Sequence, residues 1–436
     1  MKILLLLPYL PYPLDSGGNQ GVFNMLDAMQ KEHSITAVLS GNETPDIQKL
    51  MELLPSVEFI LCPHHSSNDE APYDDFGIKS RKFSFVRYMA NSFRRKYWRE
   101  YYRHREDDPF SGAFSRRNSQ MAITDRQYNP DESFGIFIAE LCKERHFDAI
   151  QAEFAAYLPV IYYLPKDVVK IFVHHEILFV RLENEISLFT DKDPRDFAEL
   201  EKYRDWELSM LRRYNHVIAL TENDRKLLTP LLPGVTVHSS PAVIKQREPL
   251  PFVPSGKALV FLGAFSHYPN TDGLIWFTKS VLPLIRKRIP DVKVHVIGTW
   301  DYHLQEQLKK SAPELLFLGR VNEVQPVLSG KISIIPIRIG SGMRMKMLDA
   351  VSANSPVVTT SKGIEGQAFI HEKDCLIADS PEEFASCTVR LIEDEELQRR
   401  LCSSAAETLS SLYSPDEMIH RRLSIYREIE KTLPDS

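Results

Sequence analysis

Short apolar runs alternate with stretches of helical periodicity along most of the chain. "KILLLLP" reads as a buried strand, and the turn "LDSGGNQG" leads into "VFNMLDAMQKE", where Val22, Met25, Leu26 and Met29 share one helical face. "SITAVLS" and "VEFILCP" predict two more strands. The rhythm breaks from about 64 to 130, a polar, aromatic and locally basic segment. It resumes with "FGIFIAELCKERHFDAIQAEF", a helix feeding a strand, and with the strands "KIFVHHE" and "HVIALTE". A proline-rich linker follows, Ser239 to Gly256. The alternation then restarts with strands at "ALVFLGAF", "VKVHVIGTW", "LLFLGRV", "ISIIPI" and "PVVTT". Helices are predicted at "TDGLIWFTKSVLPLIRKRI", "MRMKMLDAVSA" and in two C-terminal stretches.

Strands alternating with helices predict parallel sheets covered on both faces. The expected fold is α/β, two doubly wound Rossmann-like domains facing across a cleft. Residues 1–245 form the first, with an irregular insertion at about 64–130, and 256–412 the second. A last helix, 413–436, is expected to pack back on the first domain. Ligands of such sheets bind at the carboxyl ends of the strands.

Composition narrows the function. The chain of 436 residues, 43% hydrophobic, can fill two or three cores. A formal net charge of -6 gives no reason to expect nucleic acid as a partner. The five cysteines are scattered without metal or disulfide spacing, so reduced and mostly buried thiols are expected, and no metal site. The apolar N-terminus stops at Pro8, too early for a secretion signal, and no run approaches the ~20 apolar residues of a membrane span. A cytoplasmic protein is expected, with peripheral contact to the inner face of a membrane left open.

The densest chemistry lies in "IPIRIGSGMRMKMLDA". It follows a strand and opens a helix. Gly340 and Gly342 allow a tight turn and close approach of a ligand. The helix N-terminus suits an anion, yet disfavours Arg344 and Lys346, a conflict that a bound phosphate or diphosphate would resolve. Asp349 lies about 10 Å further along at ~1.5 Å per residue, a reach that suits sugar hydroxyls at the far end. A solvated helix start with Lys346 and Asp349 as a surface pair is the alternative; the place after a strand favours a site.

Other features are weaker singly. "DSGGNQG" follows the first strand without a dinucleotide or P-loop fingerprint. "VHHEI" puts His174, His175 and Glu176 at a strand end, where a histidine can be a base or donor, or structural. "TDKDPRD" offers Asp-x-Asp but reads as a solvated loop. The basic-aromatic stretch Arg81 to Arg105 reads first as a solvated helix packed on its domain, and second as a surface for a membrane or a lipid-linked acceptor.

Together these residues resemble the retaining, nucleotide-sugar-dependent glycosyltransferases of the GT-B fold, of the glycosyltransferase family 4 type (glycosyl transferases group 1). The likeness is best from "ALVFLGAFSHYPNTDGLIWF" through "IPIRIGSGMRMKMLDAVSANSPVVTTSKGIEG". It extends more loosely to "PYPLDSGGNQG", "FDAIQAEFAAYLP", "VHHE" and "VIALTENDRKLL". The resemblance implies that Asp349 is the second acid of an E-x7-E element and takes the donor ribose. The first acid is replaced by Ser341, beside the transferred sugar, which leaves the Gly342 and Met343 N–H groups as contacts. The loop from Gly263, "GAFSHYPNTDG", lacks the usual Arg and Lys for the diphosphate, and Arg344 and Lys346 would supply that charge. By the same likeness Arg320 and Val321 meet the base, Gly17 and Gly18 approach the diphosphate and acceptor, and His175 stands beside the transferred sugar as the catalytic residue.

The resemblance implies sugar transfer from a nucleoside diphosphate donor to an acceptor hydroxyl, with retention and without metal or other cofactor. A saccharide or lipid-linked saccharide acceptor, in cell-surface polysaccharide or glycolipid synthesis, is expected. A nucleotide-sugar epimerase of the same fold, or a non-catalytic nucleotide-sugar-binding assembly subunit, are the alternatives.

Overall fold

The structure is a computed structural model and describes residues 1–14, 17–40, 44–62, 132–189, 192–243 and 250–433. The stretch Arg81 to Arg105, and the rest of the expected insertion, lie outside the described residues.

Two wholly parallel sheets organise the chain. The first has seven strands: β1 (Lys2–Leu7), β2 (Ser34–Ser40), β3 (Val57–Cys62), β4 (Ala149–Glu153), β5 (Val169–His174), β6 (His216–Ala219) and β7 (Thr236–Ser239). Their spatial order is β3-β2-β1-β4-β5-β6-β7. The second has six: β8 (Ala258–Leu262), β9 (Lys293–Ile297), β10 (Leu315–Gly319), β11 (Ile332–Ile335), β12 (Val357–Thr359) and β13 (Leu376–Ile377), ordered β10-β9-β8-β11-β12-β13. The fold is GT-B.

Each sheet reverses its winding once. β1 pairs with both β2 and β4 (Ile3 opposite Ile35 and Ala149), and β8 pairs with both β9 and β11 (Leu259 opposite Val294 and Ile332). Crevices open beyond the carboxyl ends of strands at such reversals. Central strands are apolar without alternation because helices cover both faces: Ile3 to Leu7 are all buried.

The helices that frame the crevices are α1 (Gly17–Met29), α2 (Pro45–Leu53) and α3 (Glu132–Glu144), then α4 (Leu178–Ser187), α5 (Pro194–Leu211) and α6 (Glu222–Leu228) in the first domain. In the second come α7 (Tyr268–Trp276), α8 (Leu282–Arg288), α9 (Tyr302–Ser311), α10 (Gln325–Leu328), α11 (Met345–Ser352), α12 (Pro381–Glu393) and α13 (Glu395–Leu412). The single helix expected from Thr271 to Ile289 is interrupted by a π-turn, Phe277–Val281, ahead of Pro283. The long C-terminal periodicity divides at Asp394, whose side chain caps α13.

Of "TDKDPRD", Thr190 and Asp191 lie outside the described residues, and from Asp193 on it opens a helix rather than the expected solvated loop. Asp193 caps α5 in a capping box with Asp196, and Pro194 takes the first helical position. The cysteines are free thiols, and burial pushes Cys142 up to about 11 and Cys402 up to about 12. No helix among the described residues is long and apolar enough to cross a membrane.

The last helix, α14 (Pro415–Glu430), crosses to the first domain. Arg427 pairs with Glu32 at 2.6 Å, the N-terminal ammonium with Glu430 at 3.0 Å, and Arg422 donates to the Ser240 hydroxyl at 3.0 Å. Beneath these contacts Tyr426 and Ile429 join one apolar cluster with Ile3 and Leu5 of the first sheet and Ile335 and Met347 of the second domain.

Candidate functional site

Strand ends at both reversals converge. β4 ends on Glu153, and β5 hands over at His174 to His175 and Glu176. Opposite them, the segment after β11 turns through Gly340 to Gly342 and enters α11.

The two turns touch at the backbone. Gly342 has φ +76, and a Cβ there would collide with the His175 carbonyl oxygen. Only glycine meets both demands, the left-handed conformation and the close approach. The Ser341 hydroxyl accepts the Ile177 N–H at 2.6 Å, and Asn184 of α4 accepts the Gly340 N–H at 3.2 Å. Gly17, at the start of α1, lies against α11: a Cβ would come within 2.6 Å of Met345. Gly18 is pressed in the same way on the Tyr9 hydroxyl, at 2.9 Å.

Ser341 therefore differs from the expectation of a residue lining the sugar site. It is buried, and its hydroxyl belongs to the strand end of the other domain. A short hydroxyl fits between two backbones where a longer carboxylate would be buried against a carbonyl.

His175 is held on three sides. Its Nε2 lies 2.6 Å from Glu153 Oε2, its ring stacks on Phe154 with centroids 3.7 Å apart, and its carbonyl faces Gly342. Glu153 is buried and also accepts from Gln151 Nε2 at 2.6 Å. The neighbouring His174 is structural: it is fully buried, 2.9 Å from Glu207, whose carboxylate also accepts the Leu178 and Phe179 N–H groups that open α4.

Arg344 and Lys346 answer the charge conflict differently. Arg344 folds back and donates through Nη1 to the Ser341 and Gly342 carbonyls. Its Nε and Nη2 are buried without a hydrogen-bond partner, while Glu176, Glu365 and Asp224 surround the guanidinium electrostatically. Burial lowers its pKa against the pull of those carboxylates. Lys346 reaches the first turn of α7: Nζ donates to Asn270 Oδ1 at 2.6 Å, and Asn270 Nδ2 closes the loop after β8 on the Ala264 carbonyl at 2.9 Å. Gly263 admits that packing, since a Cβ would meet the Asn270 side chain at 2.6 Å. Burial, then the neighbouring Arg344, pushes the Lys346 amine down to about 7, with Asp349 opposing.

Asp349 lies on the half-exposed face of α11, and Met343 is half-buried before it. Val321 follows β10 and packs on a small buried cluster of Val260, Ile297, Leu328 and Ala353. Arg320 beside it is exposed. The glycine turn and the start of α11 thus follow the carboxyl end of β11, and the Arg320–Val321 loop follows that of β10 in the same parallel sheet. Gly17, Gly18 and His175 face its near end.

Sequence patterns missed five participants. Glu153 and Phe154 stand inside "AEF", where a lone acid and a lone aromatic carry no spacing signal. Arg181 is buried with Glu176 at 3.2 Å and Glu185 at 3.0 Å, and the i,i+4 spacing of Arg181 and Glu185 was the only cue. Asp272 and Arg338, paired at 2.8 Å with Arg338 over the Trp276 ring, fix the post-β11 segment to α7.

Comparisons with known proteins bear on the family and the fold. Residues 256–394 match the family model for glycosyl transferases group 1. The chain is 28% identical over 178 residues to an uncharacterized 44.6 kDa protein in the cps region of Klebsiella pneumoniae, covering 39% of this chain and 45% of that one. It thus spans less than half the length of that relative. Among solved structures it resembles sucrose-phosphate synthase from Thermosynechococcus elongatus (TM-score 0.66, 12% identity, 99% of each chain covered). It also resembles a mutant of S. aureus TarM in complex with Fondaparinux, alpha-GlcNAc-glycerol and UDP (TM-score 0.63, 12% identity, 98% of this chain and 99% of that). Residues 256–394 are thus similar to the glycosyl transferases group 1, and the solved structures show the GT-B fold.

Proposed function

We propose that the chain is a glycosyltransferase that moves a sugar from a nucleoside diphosphate donor to an acceptor hydroxyl, with retention at the anomeric carbon. The observation that carries this reading is the contact between two strand-end constellations: His175 with Glu153 on one sheet, and the glycine turn with Lys346 and Asp349 on the other.

The donor lies along the second domain's edge. Asp349 accepts the ribose hydroxyls, and the Arg320–Val321 backbone meets the base. The diphosphate rests on the α11 N-terminus, with Gly342 and Met343 as N–H donors. As the bond from the anomeric carbon to the diphosphate breaks, negative charge grows on the leaving group. The helix end and Lys346 stabilise it. Burial pushes the Lys346 amine down to about 7, and an arriving diphosphate favours its charged form. Arg344 adds its field through Nε and Nη2 while its Nη1 holds the turn. The charge is met by these groups, so no metal is invoked. His175 stands at the transferred sugar, and Gly17 and Gly18 let the start of α1 pack closely on Met345 and Tyr9 beside it.

A saccharide or lipid-linked saccharide acceptor, in cell-surface polysaccharide or glycolipid synthesis on the cytoplasmic side, fits the family resemblance. The stretch Arg81 to Arg105 is proposed as the membrane-facing segment. The UDP of the TarM structure and the cps region of the Klebsiella relative support this direction.

Incubation with a panel of labelled nucleotide sugars, followed by NMR, tests the proposal. Release or transfer of the sugar with its anomeric configuration kept supports it. Interconversion of free nucleotide sugars indicates an epimerase, and binding without turnover indicates an assembly subunit.

A further inference from the structure

A buried hydrogen-bond chain links the C-terminal helix to His175. Arg422 and Tyr426 lie one turn apart on α14, both buried, and the guanidinium faces the Tyr426 hydroxyl. The Tyr426 hydroxyl donates to Gln151 Oε1 at 2.7 Å. Gln151 Nε2 donates to Glu153 Oε1 at 2.6 Å, and Glu153 Oε2 lies 2.6 Å from His175 Nε2.

The direction of this chain is set at its far end. A guanidinium has no lone pair, so Tyr426 turns its oxygen to Arg422 and its proton to Gln151. The Gln151 amide then has its carbonyl toward Tyr426 and its NH2 toward Glu153. Reversal would turn the Tyr426 proton against a cation and require Glu153 to be protonated. Oε1 is therefore an acceptor, and because an ionised carboxylate accepts through Oε2 as well, the atom facing Oε2 is an N–H.

Phe154 supplies a second, independent constraint. It follows Glu153 with φ +64, a conformation costly for a bulky side chain, and that backbone directs its ring onto His175. The stack fixes the plane of the imidazole while Glu153 fixes its rotation.

We infer that Glu153 is a positioning residue for His175, and that Tyr426 orients it through Gln151 so that neutral His175 carries its proton on Nε2. Nδ1 is then the ring's lone pair. A proton arriving at Nδ1 leaves an imidazolium stabilised by Glu153. The effect on turnover rests on the glycosyltransferase reading, whereas the tautomer does not.

The test is long-range 1H–15N correlation of histidine-labelled full-length protein at mildly alkaline pH, with His175→Gln to assign the ring. Wild type should show the Nε2–H tautomer. Glu153→Gln should invert it, because the new amide accepts from Gln151 and turns its own NH2 to His175. In Glu153→Gln, turnover should fall about tenfold or more with donor KM held within about twofold. Tyr426→Phe, further from the cleft, should leave both tautomers populated and lower turnover less, so the test survives if Glu153→Gln fails to fold. An Nδ1–H or mixed tautomer in wild type, or one tautomer unchanged in both variants, overturns the inference. An inactive wild type with the expected tautomers would overturn only the proposed activity.

Discussion

The Ser341 hydroxyl accepts the Ile177 backbone N–H at 2.6 Å, and this bond ties the turn before α11 to the strand end that carries His175. Both groups are buried, so removing the hydroxyl leaves an unpaired donor. Ser341→Ala should lower the unfolding free energy by about 1–3 kcal/mol. Guanidinium unfolding measures this, and an unchanged midpoint would show that the tie carries no stability.

Gly342 and Gly234 separate backbone strain from collision. Both have positive φ, +76 and +85, but a Cβ on Gly234 meets nothing within 4 Å while one on Gly342 meets the His175 carbonyl. Alanine at either site should cost about 1 kcal/mol of backbone strain. Only Gly342→Ala should also displace His175 and reduce turnover about tenfold or more. Equal turnover in the two variants would contradict the close approach.

Lys346 makes stability and binding depend on pH. Its amine is lowered from 10.5 to about 7 in the fold. Below about 7 both folded and unfolded chains hold the proton, and the burial penalty is complete. Between about 7 and 10.5 the unfolded chain binds a proton that the folded chain lacks, so stability should rise with pH across that window relative to Lys346→Met. An anionic donor favours the charged amine, so nucleoside diphosphate affinity should fall as pH rises above about 7. Calorimetry in buffers of different ionisation enthalpy should detect proton uptake on binding in wild type and none in Lys346→Met. Proton uptake in both would reassign the titrating group.

Much of the fold was legible because central parallel strands announce themselves. "KILLLL" and "ALVFL" are continuous apolar runs, and both proved to be the strands at which their sheets reverse. Short edge strands such as Leu376–Ile377 carry too few residues for a pattern, and α2 was passed over because only Ile47 and Leu50 are buried. In the site, "IGSGMRMKMLDA" was legible as a glycine turn with charge, since both glycines have positive φ. The partners of those residues were not. Ser341 meets Ile177 across 164 positions of sequence, and Tyr426 meets Gln151 across 275. Such contacts come from the packing of two domains and leave no local periodicity.

His175 is a further point of separation between chemistry and binding. His175→Ala should depress turnover by about a hundredfold, in the range for loss of a positioned acid–base group, while donor affinity stays near the wild-type value. Turnover and binding measured on the same preparation check this. A fully active variant would rule out a catalytic role.

The central claim is that a nucleoside diphosphate lies along α11 with its ribose on Asp349. Calorimetric titration of UDP, GDP and ADP into wild-type and Asp349→Ala protein tests it most directly. One of them should bind wild type and bind the variant about tenfold or more weakly, with the melting temperature nearly unchanged. Equal affinity in both proteins, or no binding of any of the three to wild type, would contradict it.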